Sequence, residues 1–198
     1  MKTACLTTLA LALMLAMSAI VPVGAEEAPG TSGARALGFT VDLLPIVMSA
    51  TTGEAGFSLQ AWAGADHFRI RAVGARVSLP DALIGEKNFT DHDMLVGAVI
   101  ADYIFGERFA GFWAGAGGEY WHNTIRHENP GGNASWDNAV LTVGGGYIWK
   151  VYGNLFVEPW TAAHLVLNGG TVKVAGASYT PQRLSAEVSL KIGYFFDM

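Results

Sequence analysis

Residues 184–196 alternate without a break: Leu184, Ala186, Val188, Leu190, Ile192, Tyr194 and Phe196 fall on one side, and Ser185, Glu187, Ser189, Lys191 and Gly193 on the other. Side chains of an extended chain point alternately to its two faces, so this period of two predicts a strand with one apolar and one polar face. Residues 155–167 repeat the pattern, with Leu155, Val157, Pro159, Thr161, Ala163, Leu165 and Leu167 opposing Phe156, Glu158, Trp160, Ala162, His164 and Val166. Segments 139–149 and 94–105 alternate in the same way, and 38–48, 56–65, 68–79 and 110–125 complete a set of eight strands. Two places are irregular. The alternation in 68–79 slips between Ala72 and Val73, which predicts a bulge, and Pro45 fits poorly in a paired first strand.

The connections alternate in length. Short links fall at 64–67, 106–108 and 151–154, and longer polar links at 50–55, 80–93, 128–137 and 168–182. Short turns at one end and longer loops at the other predict an all-β fold, an eight-stranded antiparallel up-and-down transmembrane β-barrel with periplasmic turns and extracellular loops. Aromatic residues gather beside the short turns. Trp62, Phe68, Tyr103, Phe105, Phe109, Trp149, Tyr152, Tyr194 and Phe196 are accordingly assigned to a girdle at the membrane interface.

Composition sharpens this picture. Of 198 residues 51% are hydrophobic and only 15% charged, too apolar for a disordered chain and too poor in charge for an ordinary soluble domain. The one long uncharged apolar run is N-terminal, at 6–23, preceded by Lys2 and followed by Val23-Gly24-Ala25. That is the layout of a secretory signal peptide, 1–25, with cleavage between Ala25 and Glu26. Residues 26–37 then form a polar lead-in and 38–198 the barrel. The single cysteine, Cys5, lies in the leader, so either a large core or a closed sheet in lipid, rather than disulfides, must hold the exported chain together. A net charge of −5 offers no basic patch to a nucleic acid.

With the leader, the eight alternating segments and the terminal strand 184–196, the chain resembles the small eight-stranded outer-membrane β-barrel proteins of Gram-negative bacteria, the group that includes outer membrane proteins A, X and W. The resemblance implies an outer-membrane location, contact with lipid, and a last strand that addresses the chain to the barrel-assembly machinery. Tyr194 and Phe196 match that signal, with Asp197 and Met198 following. The resemblance is one of architecture and implies no activity.

Eight strands enclose a lumen that side chains can fill. Alternation places Gln60, Arg69, Arg71, Asp102, Glu119, Glu158, His164, Glu187 and Lys191 inside it. Opposite charges in a narrow low-dielectric space must pair, so a plugged interior laced with ion pairs is expected, with Glu187, Lys191 and Arg71 foremost. The glycines Gly115, Gly117, Gly118 and 144–146 suit close packing against large neighbours such as Trp160. His122 and His127, with Ser135 and Asp137, are the only catalytic candidates, and Asp91-His92-Asp93 the only metal-like cluster. Neither sits in a recognisable motif, so no catalytic residue, metal or cofactor is assigned. The leading expectation is a structural or surface-interaction protein whose loops 80–93 and 168–182 would meet an extracellular ligand. A channel for small or apolar solutes and a soluble periplasmic lipocalin-like binding barrel are the alternatives.

Overall fold

The computed structural model describes residues 35–128 and 131–198; the expected leader, its cleavage site at Ala25 and Glu26, and most of the lead-in lie outside them. Eight strands form one closed antiparallel ring: β1 (Arg35–Asp42), β2 (Phe57–Ala65), β3 (Phe68–Leu79), β4 (Phe89–Ile104), β5 (Gly111–His127), β6 (Gly132–Tyr152), β7 (Leu155–Val166) and β10 (Leu184–Asp197). Each pairs with its neighbour in the chain, and β10 closes the ring against β1. A two-stranded hairpin of β8 (Val172–Val174) and β9 (Ala177–Tyr179) lies in the loop before β10, and two short helices, α1 (Leu44–Thr52) and α2 (Asp81–Ile84), lie in the first two loops of the same end.

Several expected boundaries move, each for a local reason. β1 begins at Arg35 rather than 38 and stops at Asp42 rather than 48. Pro45 enters the first turn of α1, where its missing N–H is no loss, and Gly53 ends that helix at φ 76°. The bulge expected at Ala72 and Val73 is absent, because β3 keeps an unbroken register with both β2 and β4 there. Val73 is simply an apolar residue on the inner face. The irregularity lies instead in β4, between Thr90 and Asp93, with Asp91 at φ 52°. The expected loop 128–137 is mostly strand, since Ala134 and Trp136 turn inward between Asn133, Ser135 and Asp137, and the loop 80–93 shortens because β4 starts at Phe89.

The outer surface is apolar. Leu59, Ile70, Leu95, Val99, Leu141, Val143, Leu165, Leu190 and Ile192 are all exposed on it. No charge occurs at an outward position of β7 from Leu155 to Leu165 or of β10 from Leu184 to Phe196. The lumen holds the charges. A sheet built this way is stable with its outer face in hydrocarbon and its strand edges paired off in a ring.

At the short-turn end the lumen is stoppered by rings. Trp62 stands 5.4 Å from Phe109, 6.0 Å from Phe195 and 6.5 Å from Phe156, ring centroid to centroid, and all four are buried. Trp62 and Phe109 therefore do not belong to an outer girdle. Trp62 falls on the inward parity of β2, and Phe109, held at φ 49° in the turn after β4, folds up beneath the barrel. Trp62 fits because Gly38 faces it: any Cβ at Gly38 would collide with the indole. The remaining assigned girdle residues Phe68, Tyr103, Phe105, Trp149, Tyr152 and Phe196 are exposed, and Tyr194 is partly so.

Candidate functional site

Above the aromatic stopper lies a layer of paired charges. Arg69 and Arg71 both project inward from β3 and share Asp102 of β4. Arg69 Nε donates to Asp102 Oδ2 at 2.8 Å; Arg71 donates through Nε to Oδ2 at 2.7 Å and through its terminal nitrogen to Oδ1 at 2.9 Å. The other face of Arg69 grips Glu158 of β7 with two hydrogen bonds of 2.8 and 3.1 Å. Arg71 also reaches Gln60 at 2.9 Å. Lys191 of β10 lies 3.5 Å from Glu158 and stacks 3.7 Å from the centre of the Trp160 ring. Asp42 ends β1 in the same layer, accepting from Trp160 Nε1 at 2.9 Å and from Ser189. Three cations and three carboxylates thus share one buried layer, Asp102 and Glu158 in ion pairs and Asp42 held by neutral donors, which meets the condition for holding ions in a low-dielectric interior. Gly115 leaves space for Asp102, and Gly144 and Gly146 let β6 lie close to β7, with Gly146 also making room for Trp113 and Trp160.

Glu187 and Lys191, two of the residues expected foremost in the ion pairs, each take a different partner. Four residues apart on one strand face, they stand about 13 Å apart along the backbone, so their partners come from neighbouring strands. Glu187 lies 3.3 Å from His164 Nε2. On its other side His164 Nδ1 is 2.8 Å from the Thr142 hydroxyl, which in turn is 2.6 Å from Glu119. The hydroxyl has one proton to give, so it donates to Glu119 and accepts from Nδ1–H. Trp121 Nε1 donates to the second Glu119 oxygen at 2.6 Å. Glu119, His164 and Glu187 form a second polar tier above the first.

Between and above these tiers the lumen opens into a cavity of about 600 Å³. Its walls are mainly apolar: Val73 and Val77 from β3, Met94 and Val96 from β4, Leu44 and Met48 from α1. Its polar groups gather in the Glu119–His164–Glu187 tier, with Asn123, Asn138 and His92 also on the wall and Asp42, Gln60 and Arg71 of the charge layer at its floor. A concave, mostly apolar space of this size with a few convergent polar groups has the form of a small-molecule site. The sequence signal for it is the run 94–101, apolar on both faces, which alternation alone does not distinguish from an ordinary lipid-facing strand.

A packed lid covers part of the cavity. Tyr179 of β9 is buried between Phe89, 5.2 Å away, Trp136 at 5.6 Å and His92 at 5.9 Å. Thr180 N–H also donates to Glu86 at 3.2 Å, joining the β8–β9 hairpin to the loop after α2. Burial in this lid, above the apolar band, holds the His92 imidazole below its usual pKa, although Asn123 at 3.2 Å favours the charged form. Burial raises the Tyr179 phenol, with Glu86 adding to the effect.

The catalytic candidates of the sequence do not converge. His122 faces outward and bonds Asp137 at 2.7 Å, holding that exposed carboxyl below its usual range together with Tyr120. His127 faces inward, buried against Phe89 at 4.7 Å, and Ser135 pairs with Thr124. Asp91, His92 and Asp93 go separate ways, to Arg126, to Asn123, and to Arg76 with Ser78. No group of three metal-ligating side chains occurs among the described residues.

The fold is that of the small eight-stranded outer-membrane barrels. A major outer membrane protein from Thermus thermophilus superposes with a TM-score of 0.58 over 84% of this chain and 100% of its own, at 10% identity. Neisserial surface protein A (0.46, 14% identity, 83% and 96% covered) and the N-terminal β-barrel domain of Pseudomonas aeruginosa OprF (0.44, 13% identity, 85% and 100% covered) are more distantly similar. No protein-family profile matches the sequence, and no curated protein is significantly similar to it.

Proposed function

We propose that this protein is an integral outer-membrane barrel, closed to ions, that holds an apolar small molecule in the extracellular half of its lumen. The observation that supports this most is vertical asymmetry. Stacked rings and a balanced charge layer fill the short-turn half, while the other half keeps a largely apolar cavity. A soluble lipocalin-like barrel is disfavoured, because it would need the opposite distribution, polar outside and apolar throughout its core. The apolar outer band and the aromatic residues beside the short turns fit a lipid surround, and β10 with Tyr194 and Phe196 fits the strand presented to the barrel-assembly machinery.

Two measurements on folded protein test the reading. Planar bilayers containing it are expected to stay silent; discrete, reproducible conductance steps would overturn the closed floor. Energy transfer from the lumen tryptophans to the apolar dye N-phenyl-1-naphthylamine is expected to saturate and to weaken in Ala98→Phe, which places a ring inside the cavity. Transfer that is absent, or unchanged in that variant, would overturn the ligand site.

A further inference from the structure

The barrel wall is not hydrogen-bonded to the same height all round. β10 pairs with β7 from Leu184 to Tyr194, but β1 meets it only from Ala36–Asp197 to Asp42–Lys191. The last link on that side is Leu43 N–H to Leu190 C=O, at 3.0 Å. Beyond it the chain turns away into α1, which packs chiefly on β3 and β2. Residues 184–189 of β10 therefore have a strand on one side only.

The backbone at this edge is turned toward the missing strand. Antiparallel residues address their two neighbours alternately. Arg183 and Phe195 bond to the β7 side and Leu190 to the β1 side, so the N–H and C=O of Ala186 and Val188 point into the gap. No described residue supplies a backbone hydrogen bond to them there. The edge also lies in the apolar band: Leu184, Ala186 and Val188 face outward, and across the gap α1 exposes Ile46 and Val47.

The cavity reaches this gap. It is lined by inward-facing Ser185 and Glu187 and also by outward-facing Leu184, Ala186 and Val188. A space bordered by consecutive residues of both parities reaches the edge of that strand. An open sheet edge in hydrocarbon is tolerated only where it lines a cavity or meets a polar partner. The bilayer on this side and the apolar walls on the other form one continuous surface for a hydrocarbon chain, while the edge amides and Glu187 sit where a headgroup would pass.

We infer that the gap between residues 184–189 and α1 is a lateral doorway through which a single-chain membrane amphiphile enters the lumen from the outer leaflet. Its acyl chain lies along Met48, Val73 and Met94. Its head is neutral or cationic and donates hydrogen bonds, as an amine or hydroxyl does, because Glu119 and Glu187 share the one imidazole of His164, and two carboxylates against one imidazole leave the tier acidic toward a carboxylate or phosphate. The doorway rests on the apolar-ligand reading above, and the experiment separates the two.

The protein, with lipid-facing Trp149 replaced by Phe, is reconstituted into phosphatidylcholine vesicles containing a dibrominated stearoyl glycerol, which stays in the membrane and whose bromines quench tryptophan on contact. Trp113, Trp121 and Trp160 line the cavity and report entry. Quenching follows occupancy, so about half of their emission is expected to be lost when half the sites are filled. Ala98→Phe, checked for folding by heat-modifiable gel migration, is expected to reduce the loss, and dibromostearate is expected to quench less than the glycerol ester. Saturable dye transfer without quenching by the brominated ester would leave the ligand site standing and overturn the doorway. Absence of both would overturn both. A dimer that survives a cold denaturing gel and is lost in Ala186→Pro would assign the edge to a second copy of the chain and overturn the lipid route.

Discussion

Arg69 and Glu158 lie 89 residues apart in sequence and are joined across the lumen by two hydrogen bonds of 2.8 and 3.1 Å, both side chains wholly buried. A guanidinium fork on a carboxylate fixes direction as well as distance, so this pair ties β3 to β7 without any backbone contact between them. With Asp102 on its other edge, Arg69 is the cation that both carboxylates share.

Arg69→Leu is expected to leave Glu158 and Asp102 undercompensated and to cost about 3–5 kcal/mol, read as a lowered urea midpoint in lipid vesicles. Lys191→Met should cost clearly less. Its ammonium makes no hydrogen bond, and Glu158 keeps Arg69. A larger loss for Lys191→Met than for Arg69→Leu would contradict this order.

Gly38→Val is expected to destabilise the barrel by about 1–3 kcal/mol, because the new side chain meets the Trp62 indole inside the stopper. In Trp62→Ala the same substitution should be markedly milder. Additive losses in the double variant would show that the two positions do not press on one another.

His92 gives the lid a dependence on pH. Its folded pKa is below its unfolded value of about 6.5. In acid the unfolded chain takes up a proton that the folded chain resists, so stability is lost as pH falls through the unfolded value toward the lowered folded one. The urea midpoint should therefore drop more between neutral pH and mild acid in the parent than in His92→Gln, and equal drops would refute the assignment.

Tyr179→Ala is expected to release the β8–β9 hairpin, since that ring alone touches Phe89, His92 and Trp136 together. Trypsin should then cut at exposed Lys173 about tenfold faster or more, with the barrel remaining resistant. An unchanged rate would mean that the hairpin is held elsewhere.

Most of the ring was legible in the sequence because lipid outside and charge inside impose a period of two on β2, β7 and β10. β3 lost that signal midway, where Val73, Ala75 and Val77 make its inner face as apolar as its outer one. The end of β1 was hidden for a related reason: 44–48 is apolar enough for a strand, and only the preference of Pro45 for a first helical turn decides otherwise. Trp62 and Phe109 show the limit of reading aromatics by position. Nearness to a short turn puts a ring at the right depth, but strand parity and the bend at Phe109 decide which side of the wall it occupies. Ion-pair partners were out of reach, because they depend on which strands face one another across the ring.

The ring order sets β1, with 8 residues, diametrically opposite β5, with 17, whose neighbour β6 has 21. The mouth of the barrel is thus cut on a bevel, a tall hood over one half and a low sill on the other. The sill is lowest where the first strand ends at Asp42 and the chain turns into α1, and that early stop gives an otherwise round cylinder a front.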